Sequence, residues 1–268
     1  MAAEIKPIGM LNNKSAETKF KLSLFRPSEH LAFFVENYWI VQWDLRGEEP
    51  FLSENLPHPS VHMVFEKNNT RVVGVVTGKF GYLLEGYGTI VGIKFRPGAF
   101  YPFMNIPVSQ ITNGTMKLTA LFDINVQELE DAILSQADRE KMVETVEIFL
   151  TSRLPERDDN VELINRIHQD MMSDRELTRV EHVAAHFQMN SRGLQRLFNL
   201  YVGVSPKWVI QRYRLHDIAE RTARDEELNW SQLALDLGYH DQTHLIKAFK
   251  SVIGLTPEEF RNRRSSSE

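Results

Sequence analysis

A helical module occurs twice in the last hundred or so residues, and this duplication constrains the chain more than any other feature. Val183 to His186, Leu194, Leu197, Phe198 and Gly203-Val204-Ser205-Pro206 in the first copy align with Leu233 to Asp236, Leu245, Ala248, Phe249 and Gly254-Leu255-Thr256-Pro257 in the second. Each copy reads as two helices joined by a turn. Two similar compact modules about fifty residues apart suggest twin reading heads that enter successive major grooves on one face of a DNA duplex.

The first copy can be built from its parts. Val180, Val183, Ala184 and Phe187 carry the i, i+3, i+4, i+7 spacing of one apolar helix face, and Gln188-Met189-Asn190 is a turn. Asn190 is the expected N-cap of the next helix, because its side-chain oxygen can accept an orphan backbone N–H. That helix turns Leu194, Leu197, Phe198 and Tyr201 inward. Arg192, Gln195, Arg196 and Asn199 are left outward, with donors and acceptors suited to base edges and phosphates.

In the second copy Leu233, Ala234 and Leu237 pack, Gly238 supplies a left-handed helix end, and Asp241 caps a helix that buries Leu245, Ala248, Phe249 and Val252. Gln242, His244, Lys247 and Lys250 face outward. Each copy ends at Gly203 or Gly254, and then Ser205-Pro206 or Thr256-Pro257 places a capping hydroxyl ahead of a first-turn proline. Thr256 with Glu259 also fits a capping box. Between the copies, Lys207 to Arg224 contains no glycine or proline. A helix of roughly eighteen residues there spans about 27 Å, close to the ~34 Å of one DNA turn, and makes a rigid spacer.

Residues 161 to 264 resemble the DNA-binding domain of the arabinose-regulator (AraC/XylS) family of bacterial transcription factors. The resemblance rests on Leu194-Gln195-Arg196-Leu197-Phe198, Gly203-Val204-Ser205-Pro206, Leu233-Ala234, Leu237-Gly238-Tyr239, Asp241-Gln242, Ala248-Phe249-Lys250 and Gly254-Leu255-Thr256-Pro257. It implies seven helices, two major-groove recognition helices and control of transcription at a promoter. Base reading then falls on Arg192, Gln195 and Arg196 in one recognition helix, and on Gln242, His244 and Lys247 in the other. Asn199 and Lys250 read better as phosphate contacts. A single exposed Arg, Gln or Lys is ordinarily a solvated face, so it is the duplicated setting that singles these residues out. One departure is Gly193 inside the first recognition helix, where glycine costs up to about 1 kcal/mol relative to alanine.

Charge gives this reading no help. The chain of 268 residues has net charge −5, and its terminal hundred or so residues hold about fifteen basic and about fifteen acidic side chains, so no basic excess advertises DNA. What matters is the local field of the contacting face. A stripe of Arg192, Arg196, Arg212, Lys247, Lys250, Arg261, Arg263 and Arg264 would supply it, with Asp225, Glu226 and Glu227 on a connector. A few phosphate contacts give salt-sensitive, modest affinity to a monomer, which makes a homodimer the expected form.

The length suggests two domains. With no cysteine, a disulfide framework and a thiolate site are both excluded. No run of about eighteen apolar residues exists, and Met1-Ala2-Ala3-Glu4-Ile5-Lys6 lacks a signal-peptide core; the expectation is a soluble cytoplasmic protein with no membrane partner.

The first 120 residues read as β-structure. Tyr38 to Trp43, Val61 to Phe65, Val72 to Val76 and Ile90 to Phe95 are β-branched and aromatic runs, divided by turn signals at Arg46-Gly47, Asn68-Asn69, Gly78, Gly81, Gly86 and Gly88. Helical periodicity follows over 123 to 153, in Leu129, Ile133 and Leu134 and in Met142, Val143, Val146, Phe149 and Leu150; such helices either dimerise or pack on their own barrel. The charged run Pro155-Glu156-Arg157-Asp158-Asp159-Asn160 reads as a linker. The expected fold is α+β: a β-barrel or sandwich with flanking helices, then an all-α double helix-turn-helix joined by a long helix. The domain division is 1–154 for sensing and dimerisation, 155–160 as linker and 161–268 for DNA binding.

The N-terminal half is also similar to the cupin-like sensor domains found ahead of such DNA-binding domains, through Tyr38-Trp39, Leu56-Pro57-His58-Pro59-Ser60-Val61-His62 and Gly92-Ile93-Lys94-Phe95-Arg96-Pro97-Gly98-Ala99-Phe100. The similarity implies a small-molecule effector. Trp39, Trp43, Phe65, Phe95, Phe100 and Tyr101 are candidates to line its pocket, and Arg96 to clamp an anionic group; ordinary core packing and a structural salt bridge are the competing roles. His58, His62 and Glu66 are spaced by four and would share one strand face, as a two-histidine, one-carboxylate metal site requires. Pro57 and Pro59 instead put His58 in a turn, so no metal and no cofactor is assigned. No Ser-His-Asp or paired-carboxylate constellation is legible, and the chain is not read as an enzyme. The reading is a regulator of promoter DNA with a small effector and, as further partners, RNA polymerase and a second copy. Two alternatives stand beside it: a metal-dependent cupin-type enzyme carrying a DNA-binding part, and a ligand-independent regulator whose barrel serves only to dimerise.

Overall fold

The computed structural model describes residue 11 and residues 18–174, 176–223 and 228–265. The N-terminal half is built on β1 (Lys21–Phe25), β2 (Val35–Asp44), β4 (His62–Phe65), β5 (Arg71–Val73), β7 (Tyr87–Phe95) and β8 (Thr115–Lys117), which form one antiparallel sheet in the order β1-β2-β7-β4-β5-β8. The remaining strands, β3 (Phe51–Asn55) and β6 (Phe80–Leu84), pair as a separate antiparallel ribbon. The β half of the expected α+β fold is thus built as two antiparallel sheets. The ribbon is tied to the large sheet where the Tyr82 ring meets Trp43, with centroids 6.4 Å apart.

The period of two explains which residues go where. Tyr38 and Ile40 on β2 lie opposite Ile93 and Val91 on β7, and all four are buried on the core face. Trp39 and Trp43 project to the other face, where they sit over Gly92 and Gly88. A Cβ at Gly92 would come within 2.0 Å of the Trp39 indole, and one at Gly88 within 2.4 Å of the Trp43 indole. Gly88 is therefore a strand residue that makes room for a ring, not a turn. Gly81 likewise lies inside β6, whereas Gly47, Asn68 and Gly86 have the positive φ of real turns.

Short α1 (Tyr101–Met104), α2 (Val126–Leu134) and α3 (Arg139–Thr151) flank the large sheet. Asn125 and Asp138 start α2 and α3 by accepting from backbone N–H groups of the first turn. Met142, Val143, Val146, Phe149 and Leu150 all enter the main core, and Phe149 meets Phe65 edge-on. The helical periodicity of this region is thus spent on the chain's own sheet. Glu130 of α2 is buried yet satisfied: it accepts from the Asn68 N–H at 2.6 Å and from Thr70 Oγ1 at 2.7 Å, which holds the left-handed β4–β5 turn.

Seven helices follow among the described residues: α4 (Asp159–Ser173), α5 (Val180–His186), α6 (Ser191–Tyr201), α7 (Pro206–Ala223), α8 (Trp230–Asp236), α9 (Gln242–Ile253) and α10 (Pro257–Ser265). The charged stretch is helical sooner than its composition suggests, because Asp158 accepts the Asn160 N–H and so starts α4 with Asp159 and Asn160 in its first turn. The apolar interior divides inside α7. One cluster runs from Leu31 through the sheet, α3, α4 and α6 to Tyr213; a second gathers Leu215, Ile218, Leu233, Leu245, Phe249 and Phe260, with Leu11 and Leu56 from the N-terminal half. Among the described residues, no helix is long and apolar enough to cross a membrane.

Candidate nucleic-acid interface

The two copies are closed by the same backbone device. After α5, the N–H of Met189 donates to the Ala184 carbonyl at 2.8 Å and that of Gln188 to Ala185 at 3.1 Å; after α8, Tyr239 donates to Ala234 at 2.8 Å and Gly238 to Leu235 at 2.9 Å. Each turn needs a left-handed residue, which is Gln188 (φ 53°) in one copy and Gly238 (φ 67°) in the other. The second helix of each copy is then capped. Asn190 Oδ1 accepts the Gly193 N–H, and Asp241 Oδ1 accepts the His244 N–H, both at 2.7 Å. The His244 bond, followed by one from His240, holds the Asp241 carboxyl below its ordinary range. Gly203 (φ 88°) and Gly254 (φ 86°) end the copies. Ser205 Oγ then accepts the Trp208 N–H at 3.2 Å, while Thr256 and Glu259 exchange N–H bonds as a capping box. Gly193 fits this scheme, since its N–H points into the Asn190 side chain and a Cβ there would lie only 3.3 Å from Asn190 Oδ1.

Residues 183–263 match a family described as a helix-turn-helix domain, and residues 23–117 match one described as a domain of unknown function (DUF6597). The C-terminal part of this chain is an AraC-type helix-turn-helix domain. An uncharacterized HTH-type transcriptional regulator of Bacillus subtilis (strain 168), YtdP, is 23% identical over 163 residues, 61% of this chain and 20% of that protein. The chain therefore spans about a fifth of the length of this curated relative. The C-terminal domain of AraT, a response regulator from Geobacillus stearothermophilus, is 24% identical over 38% of this chain and 84% of its own, with a TM-score of 0.35. ToxT from Vibrio cholerae O395 is 13% identical over 92% of this chain and 99% of its own, with a TM-score of 0.40.

In the AraC-type domain, α6 buries Leu194, Phe198 and Tyr201 and exposes Arg192, Gln195, Arg196 and Asn199. These four border an open groove of about 860 Å³ that Pro107 of the N-terminal half also lines. Asn199 is already engaged, because its Oδ1 accepts from Ser109 Oγ at 2.9 Å, in the turn that follows Pro107. On α9, Leu245, Phe249 and Ile253 are buried, while His244, Lys247 and Lys250 are exposed. His244 stands edge-on to Tyr239, Lys250 lies 4.0 Å from Glu259, and half-buried Gln242 accepts from Ser231 Oγ at 3.2 Å.

One member leaves the expected basic stripe. Arg212 is 2% exposed; its guanidinium lies 4.5 Å from the Trp208 ring centre and its Nη2 donates to the carbonyls of Thr77 and Gly78, so it faces the sheet half and not a duplex. Burial lowers it to about 10. Arg263 lies 3.7 Å from Glu54. Asp225, Glu226, Glu227, the Arg264 side chain and Met1 to Lys6 lie outside the described residues.

The effector candidates fall on three different surfaces. Phe65, Phe95 and Phe100 are sealed in the main core, with Phe95 edge-on to Phe100 at 4.8 Å. Trp39 and Trp43 stand on the opposite sheet face, where Trp39 Nε1 donates to His62 Nδ1 at 3.1 Å and Trp43 Nε1 to the Glu85 carbonyl at 3.0 Å. Arg96 Nε donates to the Ala32 carbonyl at 2.7 Å, and Tyr101 lies against Tyr201 of α6 with centroids 4.2 Å apart. His58, His62 and Glu66 also diverge: His62 takes Trp39, Glu66 takes Arg71 and Tyr82, and His58 stacks on His216 of α7. The seam between the halves escaped the sequence reading. Ser109 with Asn199, Thr112 with the Gly203 carbonyl and Arg212 with Thr77 join residues 90, 91 and 135 positions apart, a separation at which local spacing carries no signal.

Proposed function

We propose that this chain is a sequence-specific transcription regulator that binds double-stranded promoter DNA through α6 and α9 and responds to a small molecule taken up by its N-terminal half. The observation that carries the reading is the pairing itself: two capped helices with polar outer faces, joined through one eighteen-residue helix. In this reading Arg192, Gln195 and Arg196 on α6 and Gln242, His244 and Lys247 on α9 contact base edges, and Lys250 and Asn199 contact phosphates. The Ser109 hydroxyl occupies only Asn199 Oδ1, so the Nδ2 donors of Asn199 remain to meet a phosphate while the contact with the N-terminal half is kept. A small molecule that moves the Ser109 side of this contact would re-aim Asn199 and so couple the N-terminal half to DNA affinity as a population shift.

The proposal includes the division into 1–154, 155–160 and 161–268, action as a homodimer that adds phosphate contacts, contact with RNA polymerase at the promoter, work in the cytoplasm where the promoter lies, and no catalytic role. The effector surface in this reading is the sheet face that carries Trp39 and Trp43, since Phe65, Phe95 and Phe100 are closed into the core. Footprinting on DNA upstream of the coding sequence is the test. A protected stretch of about twenty base pairs, lost in part by Arg196→Ala and in part by Lys247→Ala, is the expected result. Equal affinity for unrelated DNA at low salt would overturn the proposal.

A further inference from the structure

Beneath α7, where the helix crosses the N-terminal half, four imidazoles gather. His58 sits in the turn between Pro57 and Pro59 and lays its ring on that of His216 from α7, with centroids 4.2 Å apart and planes 24° from parallel. His58 Nε2 and both ring nitrogens of His216 are sealed from solvent without a well-formed hydrogen bond among the described residues, and the Pro57 backbone opposes the downward shift of His216 less than burial and the cations drive it. His168 of α4 is hydrogen-bonded to the Tyr213 hydroxyl, and His62 of β4 accepts from Trp39.

The charges that bear on the two stacked rings are cationic. Lys94 of β7 acts on both rings, and Arg212 acts on His216 from one turn earlier in α7; Arg96 acts on the neighbouring His168. Lys94 is itself paired with Glu36 at 2.8 Å. The carboxylates on this side belong to the outer wall of a cavity of about 380 Å³ that His58, Tyr213, Arg214 and His216 also line. There Asp217 is held by Arg221 at 2.9 Å, Asp174 accepts the Glu176 N–H, Asp236 accepts from Gln232, and Glu220 completes the wall. Arg214 donates to the Thr178 carbonyl and lies over Tyr239.

We propose that the His58–His216 stack is a proton-operated clasp between the sheet half and the DNA-binding half, closed with both rings neutral and opened when they take up protons. Burial, with the nearby cations second, holds His216 down to about 3 and His58 well below its ordinary value. Opening exposes the rings to water and returns them to about 6.5. Below that pH the open form binds more protons than the closed one, so acidification favours opening, and above it the balance is insensitive to pH. Each ring shifts the open-to-closed ratio about tenfold per pH unit below 6.5, and the pair about a hundredfold.

The clasp lies in the seam that also carries Arg212 on Thr77 and Gly78 and Asn199 on Ser109. Only the effect on DNA rests on the proposed function; the opening itself is read without DNA. Because the chain has no cysteine, Gln110→Cys and Gln211→Cys place two spin labels on exposed positions on the two sides of the seam in the 268-residue chain. Their distance distribution is recorded from pH 7.5 to 5.0, with far-UV circular dichroism as the control for global unfolding. A longer population that grows below pH 6.5 with secondary structure intact is expected. The growth should vanish in H58F/H216F, which keeps a ring stack that cannot titrate, and should follow a tenfold slope in His216→Asn alone. An unchanged distribution down to pH 5.0 would overturn the clasp, and so would the same growth in H58F/H216F. If H58F/H216F does not fold, a slope in His216→Asn equal to that of the parent overturns it instead.

Discussion

Gly203 and Gly254 hold equivalent places in the two copies with φ of 88° and 86°, yet their surroundings differ. A Cβ at Gly203 would come within 2.8 Å of Thr112 Oγ1 and 3.0 Å of Val108, whereas nothing lies within 4 Å at Gly254. Both Gly→Ala changes carry the left-handed penalty of about 1–2 kcal/mol. Only Gly203→Ala also pushes on the N-terminal half, so urea denaturation of the full chain should show it to be the more destabilising of the two. The opposite sign is expected at Gln188, which occupies the left-handed position that Gly238 fills in the other copy. Gln188→Gly should raise stability by roughly 0.5–1 kcal/mol, the relief of the φ penalty less the entropy that glycine adds to the unfolded chain; a lower denaturation midpoint would refute this. At this scale the sequence was legible wherever the partner is local. Asn190, Asp241 and Thr256 bond three residues away and were readable as caps, while Arg212 looked like a surface cation because its acceptors, Thr77 and Gly78, stand far back in the chain.

The strength of α6 and α9 comes from their first turns and their buried stripes. Asn190→Ala and Asp241→Ala should each cost about 1 kcal/mol, measured by thermal unfolding, and the caps should act independently because each closes its own helix. On the outer faces, Arg196→Ala should lose about 1–3 kcal/mol of binding to the correct site and relax selectivity at one position. Lys250→Ala should weaken all sequences alike and lower the salt slope. A uniform loss from both changes would assign Arg196 to the backbone of the duplex instead. The strands were legible from alternation, but two glycines were misplaced. Gly88 and Gly81 resemble turn residues in sequence, and only the pairing of β7 with β2 shows that Gly88 exists to seat an indole. The effector candidates failed to converge for a related reason: neighbouring strand positions point to opposite faces, so aromatic content alone could not say which of them share a surface.

At the scale of the whole molecule, packing sorts the apolar interior into two clusters. The large sheet, α4 and the first helix-turn-helix copy share one interior, and the second copy gathers its own around the later half of α7. Arg212 ties α7 to the sheet half, and replacing it with methionine would leave the Thr77 and Gly78 carbonyls without their donor. Arg212→Met should cost about 1–3 kcal/mol and speed hydrogen exchange along residues 76–80 more than along α9; equal acceleration in both would show that the bond does not join the halves. This partition was invisible in sequence because an apolar stripe announces that a helix is covered but not by what.

The break between the two interiors inside α7 means that the two copies are gripped differently by the N-terminal half, α6 through a shared core and the second copy through Leu11, Leu56 and the Arg263–Glu54 pair. On the proposed function, a promoter would meet this protein as a caliper whose jaws are held with unequal grip, and an upstream signal would then act on how far apart two half-sites are allowed to stand.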